Sequence, residues 1–166
     1  VQPGDTIWVR GGEYEGQFVL ELNGEEGKPI TVRAYPGERA ILMHEDRVLD
    51  IASSSYVNLW GLEITATENA REAHDRRRTA YGVRINQGKD SHHIKFTNMI
   101  VHDVAAQGFG WWAANTDSEI YGSLIFSNGS HNQFDHGIYL NNINGQKRIV
   151  DNIIFDNASF GIHAYG

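Results

Sequence analysis

The sequence predicts an all-β solenoid, a parallel β-helix in which each coil of chain lies on the one before. A phrase recurs four times in the second half, as Tyr81-Gly82-Val83-Arg84-Ile85-Asn86, Phe109-Gly110-Trp111-Trp112-Ala113-Ala114, His136-Gly137-Ile138-Tyr139-Leu140-Asn141 and Phe160-Gly161-Ile162-His163-Ala164-Tyr165. Its glycines, Gly82, Gly110, Gly137 and Gly161, stand 28, 27 and 24 residues apart, a period that belongs to stacked repeats. A second apolar triplet runs between the phrases, and two strands of four or five residues per repeat leave no room for the helix of a βαβ crossover.

The N-terminal half reads as the same architecture in a less regular form. Thr6-Ile7-Trp8-Val9 and Ile30-Thr31-Val32-Arg33 are strands closed by the turn signals Gly11-Gly12 and Pro36-Gly37. Ala40-Ile41-Leu42-Met43, Val48-Leu49-Asp50-Ile51 and Tyr56-Val57-Asn58-Leu59-Trp60 follow. The second triplet appears as Leu62-Glu63-Ile64, Met99-Ile100-Val101, Leu124-Ile125-Phe126 and Ile153-Ile154-Phe155. His102-Asp103, Ser127-Asn128 and Asp156-Asn157 come after three of these, where Asn or Asp suits the left-handed bend of a tight corner. The polar stretch from Glu68 to Thr79, with Arg71, Arg76, Arg77 and Arg78, interrupts the repeat. It reads first as a solvated loop, and second as a flap bringing arginines to an anionic substrate.

Alternation assigns each phrase two faces. Tyr81, Val83, Ile85, Phe109, Trp111, Ala113, His136, Ile138, Leu140, Phe160, Ile162 and Ala164 form the inward set. The outward set makes two columns, Arg84, Trp112, Tyr139 and His163 in the first, and Asn86, Ala114, Asn141 and Tyr165 in the second. Stacked in register at about 4.8 Å per rung, these columns build one long wall rich in groups that bind sugars. Trp111 and Trp112 are adjacent, so a regular strand cannot turn both inward.

Composition narrows the classes. The chain has 166 residues, 18 glycines, no cysteine and 40% hydrophobic residues, which describes one globular unit without disulfides or thiolate metal sites. No apolar run is long enough to span a membrane, and a net charge of −7 argues against nonspecific nucleic-acid binding. The chain opens on Val1 with no secretion signal in view. Neither end carries a polar cap, so further sequence or another subunit is expected to cover the ends of the solenoid.

Pro3-Gly4-Asp5-Thr6-Ile7-Trp8-Val9, Gly27-Lys28-Pro29-Ile30-Thr31-Val32, Tyr35-Pro36-Gly37 and the later Gly-Ile/Val-x-Ile/Leu and Asn-Ile-Ile-Phe phrases carry a family resemblance. Along essentially its whole length the chain resembles the right-handed parallel β-helix proteins of the pectin lyase-like superfamily. The repeats predict about six coils, and the resemblance implies a polysaccharide groove along the outside of one sheet. It also implies a secreted or cell-surface setting. The superfamily spans lyases, hydrolases, epimerases, esterases and non-catalytic proteins, so the reaction must be argued from the site.

Trp112 offers a stacking face for a sugar, with Asn86, Asn141 and Tyr165 beside it in the second column and the acids Asp117 and Glu119 near the strand end. Arg84 can clamp a uronate carboxylate, while Tyr139 and His163 can move protons. A β-elimination lyase needs these three functions. A hydrolase needs two opposed carboxylates. Asn115-Thr116-Asp117 and His136-Gly137 resemble fragments of the polygalacturonase pattern, but its paired aspartates and its Arg-Ile-Lys element are missing. Asp135 with His136 faintly resembles the acid and histidine of uronan epimerases, without the intervening proline.

Each candidate has a plainer reading. Arg84 suits an ordinary solvated face. His136 suits a hydrogen-bonded structural histidine, with Asp135 on the opposite face unless a kink at Gly137 brings both to the groove. His92-His93 and His102-Asp103 lack metal-ligand spacing. Asp and Asn oxygens are hard ligands that would suit calcium, although no calcium-loop motif is present. The sequence therefore points to a carbohydrate-active β-helix, with lyase-type elimination ahead of a polygalacturonase-like hydrolase and of a non-catalytic binder.

Overall fold

The computed structural model describes residues 1–67, 80–85, 90–130 and 134–165. The Arg71 to Arg78 flap and Asn86 therefore lie outside the described residues. The first coil comprises β1 (Thr6–Val9), β2 (Gly12–Glu15) and β3 (Phe18–Leu20), and the second β4 (Ile30–Ala34), β5 (Ala40–Met43) and β6 (Leu49–Ile51). The third holds β7 (Ser55–Trp60), β8 (Leu62–Thr65) and β9 (Val83–Ile85), and the fourth β10 (Ser91–Thr97), β11 (Ile100–His102) and β12 (Phe109–Trp111). The fifth holds β13 (Asn115–Thr116), β14 (Ser118–Tyr121), β15 (Leu124–Phe126) and β16 (Ile138–Asn141), and the sixth β17 (Lys147–Val150), β18 (Ile153–Phe155) and β19 (Ile162–Tyr165). Every pairing between these strands is parallel, and each coil contributes one strand to each of three sheets, except that the fifth gives sheet A both β13 and β14, which pair with successive parts of β10. Sheet A follows β1-β4-β7-β10-β14-β17, sheet B β2-β5-β8-β11-β15-β18, and sheet C β3-β6-β9-β12-β16-β19. The architecture is the parallel β-helix that the repeats imply.

The core is a column of stacked aliphatic and aromatic rungs. In sheet C it runs through Leu49, Val83, Phe109 and Ile138, with Ile51, Ile85 and Trp111 beside them, all fully buried. Trp111 takes the inward place of the tryptophan pair and satisfies its indole N–H on the buried Asn115 side-chain oxygen. Each such side chain stabilises the fold by about 1.5–3 kcal/mol through burial. Phe160 and Ile162, expected inward, are exposed on the last described rung.

Corners are fixed by single left-handed residues. Asp103, Ser127 and Asp156 have φ of 54°, 53° and 50° between sheets B and C, and Asn98 and Asp151 have 51° and 55° between sheets A and B. The expected Asn or Asp is therefore Asp, Ser and Asp at the sheet B to sheet C corner. Asn128 and Asn157 sit one place further on and form a ladder. Asn128 Nδ2 donates to Asn157 Oδ1 at 3.0 Å and to the Val101 carbonyl at 3.1 Å, satisfying backbone that stacking would otherwise leave bare.

One alignment differs from the sequence reading. Val83 pairs with Phe109, Phe109 with Ile138 and Ile138 with Ile162, so the stacked glycines are Gly82, Gly108, Gly137 and Gly161. A Cβ at Gly82, Gly108 or Gly137 would lie 2.7 Å from the carbonyl oxygen of the next glycine, which explains why the place admits no side chain. Gly110 belongs two residues later, on the outer face. A slip of two preserves the inward and outward sets, so the core assignment survives while the outward columns change.

Candidate functional site

Sheet C presents Asp50, Arg84, Gly110, Tyr139 and His163 in its first outward column. Trp112 is thus displaced from that column. Its ring nevertheless folds back over Gly110, whose missing side chain leaves the space: a Cβ there would lie 2.4 Å from the indole. The indole meets Tyr81 edge-on at 5.3 Å and Tyr139 at 5.9 Å. A tryptophan from the second column therefore fills the first.

The residue before each stacked glycine leaves the alternation. Tyr81, Gln107, His136 and Phe160 share this corner position. His136 is buried, but its ring packs against wall residues, stacking on Tyr139 at 6.1 Å and meeting His163 at 4.6 Å. The bend at Gly137 thus brings His136 against the wall without its neighbour. Asp135 is buried and accepts hydrogen bonds from the Ser130 backbone N–H at 3.2 Å and hydroxyl at 3.3 Å.

Hydrogen bonds fix a proton pattern in the histidine pair. The Phe160 N–H points at His136 Nδ1 at 3.3 Å, which makes Nδ1 an acceptor and leaves the His136 proton on Nε2. That Nε2–H then donates to His163 Nδ1 at 2.9 Å. Burial, followed by the His163 ring, holds His136 below the ordinary imidazole range, as a neutral acceptor requires. Tyr139 donates its hydroxyl to Tyr165 at 2.5 Å, and burial with that bond pushes it up to about 12, so it keeps its proton at any ordinary pH.

Arg84 is engaged rather than free: its Nη2 lies 2.6 Å from Asp50, and both side chains are largely covered. Asn141 stands beside Tyr165 in the second column, its carbonyl bound by Lys147. Asp117 and Glu119 leave the wall. Asp117 is a corner residue accepting the Gln146 N–H at 3.0 Å, and Glu119 lies on sheet A between Lys95 at 2.8 Å and Arg148 at 3.2 Å. The short corner after Trp112 carries the chain onto the next sheet within a few residues, so nearness in sequence does not put these acids on the wall.

Three contributors escaped the sequence reading. Asp50 was legible in principle, because Leu49-Asp50-Ile51 alternates like the later phrases but lacks their glycine. Tyr81 was assigned inward, yet it supports Trp112. Lys147 gave no signal: from sheet A its Nζ donates to the carbonyls of Trp111, Trp112 and Asn141 at 3.3, 2.6 and 2.7 Å, tying two coils together beneath the wall. Burial lowers this lysine to about 8. Among the described residues no group of three or more histidine or acidic side chains is placed to hold a metal ion.

A search of curated protein sequences finds no match to the chain. Among solved structures it is similar to the crystal structure of alginate lyase from Paenibacillus sp. str. FPU-7, with a TM-score of 0.69 and 20% identity over 98% of this chain and 58% of that one. It is also similar to the crystal structure of pectate lyase Pel9A, with a TM-score of 0.74 and 18% identity over 96% of this chain and 42% of that one. The chain thus spans less than two thirds of either enzyme, and at these identities the likeness is one of fold. The family model for the Pel9A-like, right-handed β-helix region matches residues 1–147, and the chain belongs to that family.

Proposed function

We propose that this β-helix acts on an extracellular, uronic-acid-containing polysaccharide by β-elimination, with the sheet C wall as its contact surface. One observation carries the reading: Trp112, Tyr139, His163 and His136 form a continuous cluster on a single wall, combining a sugar platform with two kinds of proton-transfer group. The similarity in fold to an alginate lyase and a pectate lyase adds support of the same kind.

In this mechanism a base takes the proton from the carbon beside the carboxylate. That electron pair becomes the new carbon–carbon double bond, the glycosidic bond breaks, and an acid protonates its oxygen. Tyr139, protonated throughout the neutral range, is the acid. His163 is the base when the pair shifts so that His163 Nδ1–H donates to His136 Nε2, freeing His163 Nε2. The shift sacrifices the Phe160 bond, at 3.3 Å the longest in the set. Arg84, oriented by Asp50, donates hydrogen bonds to the substrate carboxylate but brings little net charge. A two-carboxylate hydrolase has less support, because Asp117, Glu119 and Asp135 are each bound elsewhere. The non-catalytic reading rests on the ground-state tautomer, in which neither histidine offers a free lone pair.

The test is absorbance of the unsaturated uronate formed from polygalacturonate and from alginate. Tyr139→Phe and His163→Ala should each lower turnover by about 100-fold or more while binding persists. New reducing ends without absorbance would replace the reading with a hydrolase, and binding without any product would replace it with a binder.

A further inference from the structure

The outer face of sheet A holds a second row of aromatic and cationic groups that the wall does not use. Trp8, Arg33, Trp60, Thr97 and Tyr121 occupy one register position on consecutive strands. Trp8, Trp60 and Tyr121 remain 46%, 40% and 37% exposed, which is unusual for large aromatics in one line. The Arg33 guanidinium lies over the Trp8 ring at 4.8 Å and over the Trp60 ring at 4.3 Å. It makes none of the ion pairs among the described residues, and its Nε has no hydrogen-bond partner. A cation held by two indoles without a carboxylate is uncompensated charge in a protein of net charge −7.

Thr97 breaks the row. Arg33 lies over the Trp60 ring from the preceding strand, and on the following strands the register places Thr97 and then Tyr121. Trp60 and Tyr121 are two rungs apart, about 10 Å at the usual strand spacing, so the small threonine floors a notch between two rings. Lys95, on the same strand and face as Thr97, reaches within 5.3 Å of the Tyr121 ring centroid. It also borders a cleft of about 350 Å³ with Asn58, Glu119 and Arg148.

We propose that this row is a second glycan-binding site, taking a uronate-bearing segment of the polymer. One pyranose ring enters the notch over Thr97 with its carboxylate toward Lys95, and the next unit's carboxylate meets Arg33. This rests on the reading that the substrate is an acidic polysaccharide. It gives the solenoid a holding surface apart from the wall, so that one polymer can be retained at two places.

Native electrophoresis through gels containing polygalacturonate, alginate or neutral dextran tests it. The parent should be retarded by the acidic polymers and not by dextran. Arg33→Gln should weaken retardation about tenfold, the loss of one charge-assisted contact. Thr97→Phe should weaken it equally, although it adds aromatic surface, because it fills the notch; Thr97→Ser should retain it. The inference is overturned if Arg33→Gln and Thr97→Phe, both with parental circular dichroism, keep parental retardation, or if dextran retards as well as the acidic polymers. Unsaturated product is scored separately on the parent. Product with unaltered retardation in the variants sinks this site alone, and lost retardation without product upholds the site while sinking the elimination mechanism.

Discussion

At the residue scale, His136 ties the chemistry proposed for the wall to the stability of the fold. Its imidazole is buried and its folded pKa is depressed, first by burial and then by His163. The sign follows directly. Below about 6.5, the ordinary value, the unfolded chain binds a proton that the folded chain refuses, so stability is lost as pH falls from about 6.5 through the folded value, and the effect vanishes above it. Each unit of depression corresponds to about 1.4 kcal/mol. Urea midpoints measured from pH 7.5 down to pH 5 should therefore fall more steeply for the parent than for His136→Gln, and equal slopes would refute the assignment. Lys147 makes a different kind of contribution. Replacing it with Met strips three carbonyls of their donor and should cost about 2 kcal/mol. The Trp112 fluorescence environment should change with it, since that residue's carbonyl is one of the three; an unchanged spectrum and midpoint would mean that the corner holds itself.

At the element scale, stacking depends on backbone groups that must touch. Gly137→Ala would press a Cβ to 2.7 Å from the Gly161 carbonyl and 2.8 Å from Asn157 Nδ2, and should destabilise by about 2–4 kcal/mol. Among the described residues Gly161→Ala has only Ile154 side-chain carbons near, at 3.2 and 3.9 Å, and in this 166-residue chain should cost far less. Similar losses in chemical denaturation would show that the ladder of glycines is not what sets the coil spacing. These glycines also show how far the sequence could be read. Alternation identified the inward residues Val83, Phe109, Trp111 and Ile138, because burial leaves an apolar imprint at every second position. It could not separate Gly108 from Gly110, since both keep the same parity and only the carbonyl of the neighbouring coil tells them apart. For the same reason Trp112 was placed one column away from where it sits, although its ring ends over Gly110. Alternation also could not follow His136 and Tyr81 around the bend before the strand. Ion pairs such as Arg84 with Asp50 join coils 34 residues apart, a distance no local pattern reports.

At the scale of the whole molecule, the solenoid has no single hydrophobic centre; each rung is stabilised by the rungs above and below it. Burial therefore changes along the axis. In sheet C the inward position is 0% exposed at Phe109 and at Ile138 and 45% exposed at Ile162, and in sheet B the fully buried Ile125 gives way to a half-buried Ile154. A one-dimensional stack with such a gradient opens locally before it unfolds globally. Hydrogen exchange on this 166-residue chain should show near-global protection for amides of β10 and β12, and markedly weaker protection for β18 and β19. Uniform protection from β10 to β19 would mean a single cooperative unit and would refute the picture. The wall spans two of these rungs, because Tyr139 stands on β16 while His163 and Tyr165 stand on β19. A ligand gripping both rungs must hold the weaker one closed, and binding to the folded form alone stabilises by mass action. An acidic oligosaccharide bound at the wall should therefore slow exchange in β19 far more than in β10, whereas one held only on sheet A should protect β7 and β10 and leave β19 unchanged.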